Sequence, residues 1–128
     1  MKVTLESFAK RERNSDMRKT ITLELDGEEV EVSISKVSND QALKNSNLVQ
    51  KGKMSEFFAD IIQNHVFDPD SGEPIFKKID ILAEYGVTSV AQFVTEYMDN
   101  AFLRQLVSEI SEFSGLKPLQ EEVDLLKN

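Results

Sequence analysis

The sequence predicts an α+β fold, an N-terminal β-hairpin packed on a mostly helical body. Three observations predict it. Thr20 to Ile34 alternates apolar and polar residues around Asp26-Gly27. Val87 to Leu116 repeats its apolar residues at three- and four-residue steps, the period of a helix. Between these stretches, shorter apolar sets at helical spacing are parted by breakers at Lys51-Gly52-Lys53 and at Asp68-Pro69-Asp70-Ser71-Gly72-Glu73-Pro74.

The first segment, residues 1–19, is a basic leader. Leu5, Phe8 and Ala9 could share one face of a short helix within Val3 to Glu12. A helix that short is marginal in water unless it packs on something, so the leader is expected to be partly ordered and solvated. The alternative is contact with an acidic partner or with its own acidic body.

The hairpin follows. Ile21, Leu23 and Leu25 form one apolar face with Val30, Val32 and Ile34. A two-residue turn at Asp26-Gly27 pairs Leu23 with Val30, and a four-residue loop pairs Leu25 with Val30. Both registers keep the apolar face on one side, so the pattern leaves the choice open.

Ser38-Asn39-Asp40 marks a helix entry, with Ala42, Leu43, Leu48 and Val49 as a weak apolar set. Ser55 is the expected cap of the next helix, EFFADIIQNHVF, whose apolar set is Phe57, Phe58, Ile61, Ile62 and Val66. Ile79, Leu82 and Ala83 suggest a short helix stopped by Gly86.

In the long apolar stretch, Val90, Phe93, Val94, Tyr97 and Ala101 line one side. Leu103, Leu106, Val107, Ile110 and Phe113 line another, and the phase slips at Asp99-Asn100. One helix with a broad face fits, as do two helices. Capping chemistry favours two: Asp99 suits an N-cap, and Ser89-x-x-Gln92 has capping-box spacing. Gly115 suits the left-handed position after the last turn. Phe93, Tyr97, Leu106 and Ile110 are expected in the core. Residues 20–116 thus read as one domain, and 117–128 as a short C-terminal helix with a Leu119-Val123-Leu126 stripe.

Composition excludes several functions. Apolar residues make up 40% and charged residues 30% of the 128, the balance of a globular chain rather than a disordered one. No apolar run is long enough to cross a bilayer, and no apolar region follows Met1-Lys2-Val3 as a secretory signal would. The expected compartment is the cytoplasm. Cysteine is absent, so there is neither a disulfide framework nor a thiolate. The net charge of −8 divides unevenly: residues 1–20 carry +3 and the rest −11. An acidic body repels nucleic acid and anionic membrane, so neither is an expected partner.

No residue set points to chemistry. Asp68-x-Asp70-x-Gly72 has the look of a calcium loop. The sixth and twelfth positions, however, hold Glu73 and Ile79 instead of glycine and glutamate. His65 is the only histidine, placed near a helix end where a basic side chain favours the dipole. The motifs HExxH, GxSxG, GxxxxGK[ST] and GxGxxG are absent. No catalytic residue, metal or cofactor is expected. The phenylalanines are not interleaved with Lys or Arg as in a nucleic-acid surface.

The order of the segments carries a resemblance. A leader LESFAKRER precedes the hairpin ITLELDGEEVEVSI, a polar helix and an apolar helix. VFDPDSGEPIF, IDILAEYG and paired helices ending in EISEFSGL follow. Over residues 4–116 this resembles the small tail assembly chaperones of long-tailed bacteriophages. The polar 39–53 region and residues 117–128 depart from the family pattern. The resemblance implies a protein that binds the tape measure protein, an amphipathic helical partner, before the tail tube polymerises. It also implies that ribosomal frameshifting produces a longer form. Homo-oligomers are compatible with this role. Candidate partner-binding residues are the apolar ones beyond a two-helix seam: Phe57, Phe58, Phe102, Leu119, Val123 and Leu126. The last three either pack on their own domain or form an interaction helix. The alternative role is a small acidic adaptor, a secretion-type chaperone or a structural subunit of a larger assembly.

Overall fold

A computed structural model describes residues 2–116 of the chain; the Leu119-Val123-Leu126 stripe lies outside the described residues. The fold is α+β, a hairpin followed by helices. The leader holds a one-turn helix α1 (Leu5–Ala9) and a 3-10 turn (Asn14–Asp16). Thr4 and Ser7 close a reciprocal capping box on α1. That cap is enough to mark a helix start but not to bury it: Leu5 is 89% and Phe8 59% exposed.

Strands β1 (Arg18–Leu25) and β2 (Glu28–Ser35) form the hairpin. Its register is the two-residue one, with Ile21 opposite Val32 and Leu23 opposite Val30. The turn decides it. Asp26 and Gly27 both have positive φ, 53° and 83°. Such a type I′ turn matches the right-handed twist of the two strands, and Asp-Gly is among the few pairs that adopt it at low cost. The sheet has a third strand the sequence did not reveal. β3 (Val66–Phe67) pairs antiparallel with β2, placing Ser33 opposite Phe67 and Ile34 opposite Val66. The predicted helix through Phe67 therefore ends two residues early. Val66 is buried as expected, but as a strand residue.

Helices α2 (Asn39–Gln50), α3 (Met54–His65), α4 (Lys78–Tyr85), α5 (Val90–Tyr97) and α6 (Asn100–Phe113) make the body. α3 is central, packing against α2, α5, α6 and β3, while α6 lies under β1 and β2. The innermost residues come from the sheet, α3 and α6: Ile34, Val66, Ile62, Leu106, Val107 and Ile110. Burying each such side chain contributes about 1.5–3 kcal/mol.

The break between α5 and α6 is real. Asp99 accepts a hydrogen bond from Phe102 N (2.9 Å), and Ser89 accepts one from Gln92 N (3.0 Å). α6 closes with a Schellman motif: Gly115 takes φ 73°, and Leu116 N donates to Ser111 O (2.9 Å). Ser114 ties this end to the sheet. Its hydroxyl donates to Ile110 O (2.6 Å) and accepts from Val37 N (2.9 Å), just after β2.

Several expectations are corrected. Ser55 does not cap α3, which starts at Met54; its hydroxyl instead bonds Thr95 Oγ1 on α5 (2.9 Å). On α4 the buried residue is Ile81 and Leu82 is partly buried, while Ile79 and Ala83 are exposed; the helix packs against α5. Leu43 on α2 and Ala101 on α6 are exposed as well. Tyr97, expected in the core, is 55% exposed. Its ring lies against Tyr85 and Phe93 at the end of α5 instead.

Candidate functional site

The apolar faces of the hairpin and the helices do not close on each other everywhere. At the turn end of the hairpin they leave a groove of about 320 Å³. Leu25, Val30 and Val32 form its sheet wall. Phe93, Tyr97 and Met98, at the end of α5, form the facing wall, and Phe102 on α6 contributes to the floor. Ile75 and Phe76 close one side.

Each wall has a local cause. The Asp68–Gly72 turn folds the chain back so that Ile75 N donates to Val66 O (3.3 Å) and Asp68 N to Glu73 O (2.8 Å). Asp68 Oδ1 holds the turn by accepting from Asp70 N and Ser71 N (2.8 and 3.0 Å). These bonds to the ionised form lower the Asp68 pKa below the usual carboxylate value. The acidic loop is thus an Asx turn that delivers Ile75 and Phe76 to the groove. Beside them Tyr85, Phe93 and Tyr97 form an aromatic cluster with ring centroids 4.9–5.5 Å apart. Tyr85, Tyr97 and Ile75 each keep more than two fifths of their surface in solvent.

Of the predicted partner-binding residues, Phe102 reaches this groove. Phe57 and Phe58 do not. Both are buried, with ring centroids 5.5 Å apart, because α3 packs against α2, α5, α6 and β3, and Ala59, Ile61 and Ile62 are buried with them. Phe57 borders a smaller hollow with Ile61 and Leu116 at the end of α6. Leu119, Val123 and Leu126 lie outside the described residues. Sequence reasoning missed Tyr97, Ile75, Phe76, Leu25, Val30 and Met98. One signal was available: the apolar pair Ile75-Phe76 belonged to no predicted helix or strand.

The strongest candidate for chemistry is a buried pair. Ser35 Oγ and His65 Nδ1 share a hydrogen bond (3.0 Å), and both residues are buried. Burial lowers the His65 pKa from 6.5 to about 4; nearby Asp60 opposes the shift and Arg18 adds to it. The ring is therefore neutral at pH 7, which overturns its reading as a charged residue helping the α3 dipole. Its Nε2 has no hydrogen-bond partner among the described residues. A serine next to a neutral histidine has the makings of a nucleophile and base, but neither residue lines the groove or the hollow at Leu116. The pair ties the last residue of α3 to the end of β2. Among the described residues, no cluster of three His, Cys, Asp or Glu could hold a metal, and no helix is long and apolar enough to cross a membrane.

No family model matches the chain, and no curated protein matches it. Among solved structures it is similar to the bacteriophage HK97 tail assembly chaperone. The identity is 18%, over 97% of this chain and 94% of that one, with a TM-score of 0.46. That protein belongs to the family whose segment order this sequence resembles. A likeness of this degree is no ground for a function, which has to come from the residues of the chain itself.

Proposed function

We propose that the protein is a tail assembly chaperone of a long-tailed phage, holding an amphipathic helical segment of the tape measure protein in the host cytoplasm until the tube forms around it. The observation that carries this reading is the apolar groove between the hairpin turn and α5. It has the form that recognition of a helix requires: a trough of large apolar side chains with aromatic edges, open to solvent. Exposed apolar surface is costly to keep unless it is used. A net charge of −8 keeps a protein with such a surface apart from its own copies. The segment order of the sequence agrees with the same role. The Leu119-Val123-Leu126 stripe is proposed as a second contact for the same partner, with Val123→Asp as its test.

Co-expression with a candidate tape measure protein tests the reading. The expected result is a soluble complex in place of an aggregated partner. Equal solubility of the partner with and without this protein would sink it. Mass spectrometry of purified particles then separates a chaperone, which is absent from them, from a structural subunit, which is retained.

A further inference from the structure

We infer that the helix taken by this groove carries Lys or Arg along the flank of its apolar stripe, set to meet Glu28 and Asp99. The inference rests on the groove reading above and adds the charge of the occupant. Among the groove's lining residues the single charged side chain is Asp99, and none is cationic. Asp99 spends Oδ2 on the Phe102 amide and makes no ion pair among the described residues. Glu28 lies opposite Leu25, a lining residue, in the ladder and so projects from the same face of the hairpin. It is exposed and equally without an ion pair among the described residues.

The nearby cations do not line the groove: Arg104 on α6 borders a different hollow with Thr22 and Leu23. Lys77 Nζ lies 3.5 Å from Glu73, and Lys78 borders a separate hollow shared with Lys44 and Asp60. An apolar trough with acids at its edges favours a helix with cations beside the stripe and disfavours one with carboxylates there, where like charges would meet.

The test uses the full chain and two synthetic amphipathic helices with the same Leu/Phe stripe, one flanked by Lys and one by Glu. The Lys-flanked helix is expected to bind more tightly, on the order of tenfold at low salt, with the preference shrinking as salt rises. The decisive variant is Glu28→Gln combined with Asp99→Asn. Asparagine caps a helix about as well as aspartate, so α6 keeps its start while the charge is lost. In that variant the two helices should bind nearly alike. A preference that survives the double substitution would overturn the inference, because it would come from the general field of the acidic body. Equal binding of both helices by the unaltered chain would overturn it too, while leaving the groove intact as a docking site. If neither helix binds, the groove reading itself fails.

Discussion

The hairpin meets the helices in two different ways along its length. At the open end of the strands Ile34 lies opposite Val66, and both are fully buried in the same core cluster as Ile62, Leu106, Val107 and Ile110. At the turn end Leu25 and Val30 continue the same ladder yet are only half-buried, with Tyr97 and Ile75 exposed across from them. One end is a finished core, and the other has the same apolar composition without a cover. The difference lies in how much helix covers each end: at the turn end α6 only begins, with Phe102 in the groove floor. α6 runs under the sheet, whereas α5 stops at Tyr97, where Asp99 restarts the chain in a new direction. At the turn end the apolar face of Leu25 and Val30 outlasts its cover.

The widest gap between the two ends should appear on truncation. Leu106→Ala, in the sealed end, is expected to cost about 2–5 kcal/mol in urea unfolding, because the cavity cannot collapse. Tyr97→Ala should cost about 1 kcal/mol or less, given its exposure. Similar losses at the two sites would mean the ends are not different.

Acid should open the sealed end. The His65 pKa of about 4 in the fold lies below its unfolded value of 6.5. As pH falls through that window the unfolded chain takes up the proton first. Stability is thus full above pH 6.5, is lost progressively toward about pH 4 and loses nothing more from this group below that. The loss is on the order of 3 kcal/mol at most. His65 is the only histidine, so unfolding measured between pH 7 and 5 isolates it from the carboxylates. His65→Gln should flatten the profile, and an unchanged slope in that variant would remove the role given to the ring.

The junction between the ends gives a smaller effect. Asp99→Ala removes the cap that starts α6 and should cost about 1 kcal/mol, whereas Asp99→Asn should cost a few tenths. Equal losses would show that the charge, and not the cap, matters there.

Substitutions at the open end also have a small stability effect and are the most informative for function. Tyr97→Asp and Ile75→Asp should change unfolding free energy by only about 0.5–1 kcal/mol. Both should abolish retention of a co-expressed helical partner in a pull-down. Retention unchanged by either substitution would place the docking surface elsewhere.

Elements whose causes are local were legible in the residues alone. The hairpin followed from alternation of Ile21, Leu23, Val32 and Ile34, and the α5–α6 break from the capping side chains of Ser89 and Asp99. The end of α6 followed from Gly115. Each depends on neighbours within a few residues, so each leaves a period or a motif. The rest depended on contacts between elements distant in the chain. Val66-Phe67 is too short to have a period, and it became a strand because β2 offered a free edge beside it. His65 became a neutral buried anchor because α3 ends against Ser35, which lies far away in sequence. Phe57 and Phe58 went inside while Tyr97 stayed out because burial depends on which other elements arrive. A spacing pattern shows which residues share a face, but it does not show whether anything covers that face.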